Sequence, residues 1–191
     1  MQTFDELINT IKGFLDAEVL KGTMKIWPDR EALLYDTDIE LNLKLRLKSD
    51  KIINVTFCIV GEGQTPQLYY EKIEPNYEYS ELQDRMETWK NPAFWDMINE
   101  RIDSGKGYYM YDCFNIDGSK EYAEIVGSKL VKCEIYYFYY KKNKTNYPIG
   151  LCLEFSSKKK VWSMSHGDVN WIGTDLPNWM IDLHDDVKSF E

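Results

Sequence analysis

Histidine is scarce in this chain of 191 residues, which contains only His166 and His184. Hydrolases and transferases that work near neutral pH usually employ a histidine, or a cysteine that a histidine activates. The glycines fit no phosphate-binding loop either, because neither a third glycine nor a lysine follows Gly61 and Gly63 at the required offset. Since no catalytic motif is recognisable, we expect a protein that is not an enzyme.

Long apolar runs and paired cysteines are also missing. No stretch approaches the roughly 18 uninterrupted apolar residues of a transmembrane helix, and charges interrupt the start of the chain where a signal peptide would have an apolar core. The four cysteines have no metal-binding spacing and lie in apolar segments: Cys58, Cys113, Cys133 and Cys152. We therefore expect a cytoplasmic protein with reduced thiols and without a cofactor or a metal.

The charge of the chain is negative and unevenly distributed. The formal net charge is −9. Residues 131–163 contain seven basic and two acidic side chains, whereas residues 164–191 contain one basic and six acidic side chains. An acidic protein repels phosphate backbones, so a basic protein is a more plausible partner than a nucleic acid.

The first half of the chain predicts a helix and two strands. Thr3 and Glu6 form a capping-box pattern before apolar residues at helical spacing, which predicts a helix to about residue 20. Leucine and isoleucine alternate with polar residues over 39–47, which predicts a strand with one buried face. A turn at 49–51 then leads into a second strand, 52–60.

The middle of the chain predicts a third strand at 67–73 and a helical insert at about 80–103. Ser80 is the expected start of this insert, and Asn91 followed by Pro92 restarts the helix. A further strand is expected at 108–116, with a short helix near 119–126.

The last third predicts an antiparallel meander of three strands: 130–140, 148–155 and 160–166. A short final helix is expected after Asp175. The order of elements predicts one α+β domain, residues 1–191, with a mostly antiparallel sheet. Its distinguishing parts are an N-terminal helix, the helical insert and the C-terminal meander.

The C-terminal segment combines carboxylates with large aromatic rings, a composition typical of protein-binding surfaces. The candidate partner-binding residues are Asp168, Trp171, Asp175, Trp179, Asp182, Asp185 and Asp186. In the alternative interpretation, both tryptophans cover the core of the sheet and the aspartates are merely solvated. A second acidic and aromatic stretch, residues 71–95, is a competing candidate for the same role.

A different class of function would use a pocket between the sheet and the helical insert. Its expected lining is aromatic: Trp89, Trp95, Tyr108, Tyr109 and Tyr111. In that case the protein would be a small ligand-binding domain or an enzyme. Base stacking on the aromatic strand 135–140 is less plausible, because a meander places the lysines of 141–144 and of 158–160 at opposite ends of the sheet.

One hairpin resembles the immunity proteins of bacterial polymorphic and contact-dependent toxin systems. The resemblance rests on residues 150–155, the lysine turn 158–160, Val161 with Trp162, the turn at Gly167, and Trp171 with Ile172. It covers about a quarter of the chain. It implies a small acidic α+β protein that binds and blocks a cognate toxin domain, frequently a basic nuclease, without catalysis. It assigns no functional residue.

Overall fold

The computed structural model describes nine segments of the chain: residues 4–26, 39–57, 80–81, 91–104, 112–119, 121–141, 144–166, 169–176 and 186–191. Within them the fold is α+β and mostly antiparallel, as predicted. Two helices and two five-stranded sheets make up the regular structure of these segments.

The first sheet, sheet A, has the strand order β3-β2-β1-β5-β4. Its strands are β1 (Glu18–Ile26), β2 (Ile39–Arg46), β3 (Ile52–Phe57), β4 (Ser80–Glu81) and β5 (Asp112–Asn115). All neighbours are antiparallel except β4 and β5, which run parallel. The predicted facing of β2 is confirmed, because Leu41, Leu43 and Leu45 are buried while Arg46 is exposed.

The second sheet, sheet B, has the order β10-β6-β7-β8-β9 and is antiparallel throughout. Its strands are β6 (Leu130–Tyr140), β7 (Thr145–Phe155), β8 (Lys160–His166), β9 (Val169–Gly173) and β10 (Asp186–Phe190). The predicted meander corresponds to β6, β7 and β8. The structure adds β9 and β10 on its two sides, so part of the predicted acidic tail belongs to the sheet.

The first helix, α1 (Phe4–Lys12), is shorter than predicted. Gly13 follows it, and Asp16 adopts the left-handed backbone conformation with φ of 65°, which ends helical propagation. The chain then pairs with a distant segment, as the amide of Val19 donates to the carbonyl of Ser128 at 2.9 Å. Residues 18–20 are therefore the start of β1, and the strand β1 as a whole was missed by the sequence analysis.

The helical insert was predicted correctly in part. Helix α2 (Pro92–Asp103) begins after Asn91, whose side-chain oxygen accepts a hydrogen bond from the amide of Ala93 at 3.1 Å. The expected start at Ser80 is wrong, because residues 80–81 form β4 and pair with Phe114 and Asn115. Pairing with the distant strand β5 determines the conformation of residues 80–81 and overrides their local helical preference.

Three other predictions differ from the structure or lie outside the described residues. The short helix near 119–126 is reduced to one turn of 3-10 helix, Ala123–Ile125. Of the strand at 108–116, only Asp112–Asn115 is described. The strand at 67–73, residues 58–60, and the part of the final helix after Leu176 lie outside the described segments.

One hydrophobic core joins the two sheets. It includes Leu7 and Ile11 from α1, Leu43 from sheet A, and Ile135 and Leu153 from sheet B. Helix α1 lies against sheet B, because the ring of Phe4 packs against that of Tyr137 with centroids 5.1 Å apart. The opposite face of each sheet points away from this core, and these two outer faces with α2 are where binding surfaces can form.

Candidate binding surfaces

Three of the predicted partner-binding residues lie in the described segments. Trp171 is in the middle of β9, Asp175 follows β9 and is exposed, and Asp186 opens β10. The others, Asp168, Trp179, Asp182 and Asp185, lie outside the described residues. The structure therefore places Asp186 within a sheet and not in a free acidic tail.

Trp171 is only 4 % exposed and belongs to a second hydrophobic cluster on the outer face of sheet B. Tyr136, Cys152 and Met164 are its buried neighbours in this cluster. Glycine makes room for it, since a Cβ atom on Gly173 would come within 2.4 Å of the indole ring. In this structure Trp171 is therefore buried in the outer-face cluster.

The polar part of the same face is organised by hydrogen bonds. Trp162 donates from Nε1 to the hydroxyl of Tyr136 at 3.4 Å, and this hydroxyl donates to the carboxylate of Glu134 at 3.1 Å. Burial raises the pKa of Tyr136 to about 12, so the phenol is protonated near neutral pH. The network fixes the position of Trp162, a half-buried tryptophan that was not among the predicted partner-binding residues.

Charged side chains border this network in alternating order. Lys132, Glu154 and Lys160 occupy one register row across β6, β7 and β8. Lys132 pairs with Glu134 at 3.0 Å and Lys160 with Glu154 at 3.3 Å. Since cross-strand charges neutralise one another here, this row gives the outer face little net charge.

Of the predicted pocket residues, only Trp95 is described, and it lies in the first turn of α2. Its ring contacts that of Phe94 edge to face, with centroids 5.2 Å apart. Phe94 is buried whereas Trp95 is partly exposed. Trp89, Tyr108, Tyr109 and Tyr111 lie outside the described residues.

Helix α2 presents an acidic stripe, formed by Asp96, Glu100 and Asp103. These residues are spaced four and three positions apart, which puts them on one face of the helix, and all three are exposed. None of them forms an ion pair within the described part of the chain. The sequence analysis missed this stripe, although its helical spacing is readable from the residues alone.

A second acidic surface is built from two segments that are distant in sequence. Thr174, next to Asp175, donates its hydroxyl to the carboxylate of Glu121 at 2.8 Å. Glu121, Glu124 and Asp175 are all exposed. We call these three residues the acidic corner. Only the tertiary structure brings Asp175 to Glu121, so this combination could not be predicted from residue spacing.

A polar row crosses the outer face of sheet A. It consists of register partners on four neighbouring strands: Thr56 on β3, Asn42 on β2, Thr23 on β1 and Asn115 on β5. The hydroxyl of Thr56 donates to Oδ1 of Asn42. Nδ2 of Asn42 and Oδ1 of Asn115 are buried and have no hydrogen-bond partner among the described residues. Thr56 and Thr23 are buried, whereas Asn42 and Asn115 are partly exposed, so only part of this row is accessible to solvent.

The described thiols are poor nucleophiles. Burial raises the pKa of Cys152 to about 12 and that of Cys133 well above its usual value, which keeps both in the unreactive thiol form. Both are free and buried. Within the described segments, no group of three or more histidine, cysteine, aspartate and glutamate side chains is arranged to hold a metal ion.

None of the described helices is long and apolar enough to cross a membrane. Compared with models of known protein families, with characterised proteins and with solved structures, the chain matches none of them.

Proposed function

We propose that this protein is a non-catalytic binding module for a basic protein, of the kind that neutralises a bacterial toxin domain. The acidic stripe on α2 is the observation that carries the proposal. The resemblance of the C-terminal hairpin to immunity proteins supports the particular class of partner.

The acidic stripe opposes the stability of its own helix. Like charges four residues apart on a helix destabilise it by about 0.2–0.5 kcal/mol. Negative charge is favourable near a helix N-terminus and unfavourable near its C-terminus, yet the first turn of α2 contains no acidic residue and Glu100 and Asp103 lie near its end. A charge pattern that costs helix stability is typical of a surface retained for binding.

The partly exposed Trp95 lies next to the acidic stripe. Tryptophan is enriched among the residues that dominate binding energy at protein interfaces, and a rim of charge around it accelerates association with a partner of opposite sign. Asp96 directly follows Trp95 and lies just after the first turn of α2. The pair provides both an apolar anchor and a carboxylate for a basic surface.

The acidic corner extends the same electrostatic preference to a second site. Its carboxylates come from segments that fold together, so it is held by tertiary structure and not by a flexible tail. With a net charge of −9, the molecule attracts a basic protein over a distance comparable to the Debye length, about 8 Å at physiological ionic strength.

The first experiment tests the class of function in cells. The reading frames adjacent to this gene are searched for a basic toxin-like domain. A domain found there is expressed with and without the protein, and growth is followed. We expect the protein to restore growth. With purified components, we expect the protein and the basic domain to elute as a complex on size-exclusion chromatography. Growth arrest that the protein does not relieve would contradict the proposal.

The second experiment tests the acidic stripe with matched charge changes. The double variant Asp96→Asn, Glu100→Gln is compared with the control Asp5→Asn, Glu6→Gln, which removes the same charge from exposed positions in the first turn of α1. We expect the stripe variant to slow association with the basic domain about tenfold at low salt. The control should associate at nearly the original rate.

The stability of the two variants provides an independent readout. The stripe variant should be at least as stable as the original protein, because it removes charges that oppose α2, whereas the control loses favourable charges at the start of α1. Equal association rates for the two variants would remove α2 from the interface.

A further inference from the structure

We propose that four lysines at one end of sheet B bind an acidic segment of a protein. These residues, Lys51, Lys129, Lys158 and Lys159, are called the basic rim. This site is independent of the proposed function, because its partner has the opposite charge to the one that the acidic stripe would bind.

The β7–β8 turn and the start of β6 hold the basic rim in place. The amide of Ser156 donates to the carbonyl of Lys129 at 2.7 Å, and the amide of Lys129 donates back to the hydroxyl of Ser156 at 2.9 Å. Lys158 has a left-handed backbone with φ of 70°, and its amide bonds to the carbonyl of Phe155. These contacts bring Lys129 close to Lys158 and Lys159.

The β2–β3 turn lies at the same end of the molecule and contains Lys48, Lys51 and the exposed Asp50. Lys48 in this turn forms an ion pair with Asp16 at 2.5 Å, and the amide of Asp16 donates to the carbonyl of Leu130 at 2.7 Å. Lys48, and more weakly Lys129, hold the pKa of Asp16 below its usual value. Lys51 lies in this turn as well, so two turns from different sheets contribute to one surface.

The lysines of the basic rim are not neutralised within the described part of the chain. Lys51, Lys129 and Lys158 are exposed, and no ion pair joins any of the four to another described residue. Ser157 lies between Ser156 and Lys158 in the turn, and its hydroxyl is buried with no hydrogen-bond partner among the described residues. A turn that keeps an unsatisfied buried hydroxyl beside unpaired cations is not optimised for stability alone.

The basic rim fits a short acidic peptide segment better than a nucleic acid. Gly173 is the register partner of Trp162, so the antiparallel course of β8 and β9 brings Asp175 towards Lys160, at the edge of the rim. Asp175 and Glu121 then bound the positive surface on that side. A uniformly charged phosphate backbone would extend past the rim and meet these carboxylates, whereas a segment with a few glutamates can end there.

The test measures binding of a fluorescein-labelled glutamate-rich peptide by fluorescence anisotropy at low salt. A single-stranded oligodeoxynucleotide with the same number of negative charges is measured in parallel. The variant Lys129→Gln, Lys158→Gln removes half of the basic rim. Its matched control is Lys141→Gln, Lys144→Gln, at the opposite end of sheet B, where Lys144 also has a left-handed backbone with φ of 52°.

We expect the full protein to bind the peptide more tightly than the oligonucleotide. The rim variant should weaken peptide binding about fivefold, as expected for two exposed ion pairs, and the control should leave it unchanged. Equal weakening by both variants, tighter binding of the oligonucleotide, or no peptide binding at low salt would each overturn the proposal.

Discussion

At the residue scale, the outer face of sheet B buries two titratable side chains, a thiol and a phenol. Cys152 and Tyr136 occupy neighbouring strands of this face and share one hydrophobic cluster with Met164. Burial disfavours the charged form of a thiol or a phenol. The pKa of each group is therefore raised to about 12 in the folded protein.

These raised pKa values predict a loss of stability at alkaline pH. In the unfolded chain the thiol ionises near 9 and the phenol near 10, whereas both stay protonated in the fold up to about 12. The unfolded state therefore releases protons first, and the free energy of unfolding should fall between pH 9 and about 12. Urea denaturation at stepwise increasing pH measures this.

Removing the Cys152 thiol should make the free energy of unfolding depend less on pH. The variant Cys152→Ala eliminates one of the two groups, so its stability should decline less steeply over the same pH interval than that of the original protein. Identical slopes for the two proteins would mean that Cys152 is not the group responsible.

At the element scale, β2 shows how alternation decides which face of a strand is buried. Its leucines enter the core and its polar residues face outward. Side chains alternate with a period of two. A register that exposed the leucines would therefore turn Lys44 into the core. The same strand lies between β1 and β3, so its facing also determines the facing of both neighbours.

Substitutions at adjacent positions of β2 should therefore have very different effects. Leu43 is 2 % exposed, and Leu43→Asp would bury a charge without a partner, which should cost more than about 4 kcal/mol and prevent folding. Lys44→Glu changes a side chain on the outer face and should cost about 1 kcal/mol or less. Solubility and urea denaturation compare the two variants, and equal tolerance would show that the facing is wrong.

At the scale of the whole molecule, Asn170 connects the two sheets. Its Nδ2 donates to the carbonyl of Ile39 at the start of β2, and its Oδ1 accepts from the hydroxyl of Ser163 at 3.0 Å. Asn170 is fully buried. With the shared core, this contact makes the folding of sheet A depend on that of sheet B.

The variant Asn170→Leu should destabilise the whole molecule and not a single strand. It leaves a buried carbonyl and a buried hydroxyl unpaired, at a cost of about 2–4 kcal/mol. Circular dichroism and tryptophan fluorescence in urea should give coincident transitions at lower urea concentration. Ser165→Ala, at the register partner of Asn170 on β8, is the control and should change stability little. Two separate transitions would show that the sheets fold independently.

The amino-acid sequence by itself determined the elements whose signal is local. Alternation predicted β2, the Asn91 and Pro92 pair predicted the start of α2, and regular turn signals predicted β6, β7 and β8. The acidic stripe on α2 was equally readable, because helical spacing fixes which side chains share a face.

Only the tertiary structure decided the elements that depend on distant partners. Residues 18–20 continue a helical pattern but become a strand, since they can pair with residues 127–130 and with β2. Residues 80–81, β9 and β10 likewise gain their conformation from neighbouring strands. The acidic corner and the basic rim combine side chains from separate segments. Such surfaces cannot be read from a sequence, because hydrogen bonds between remote strands bring their residues together.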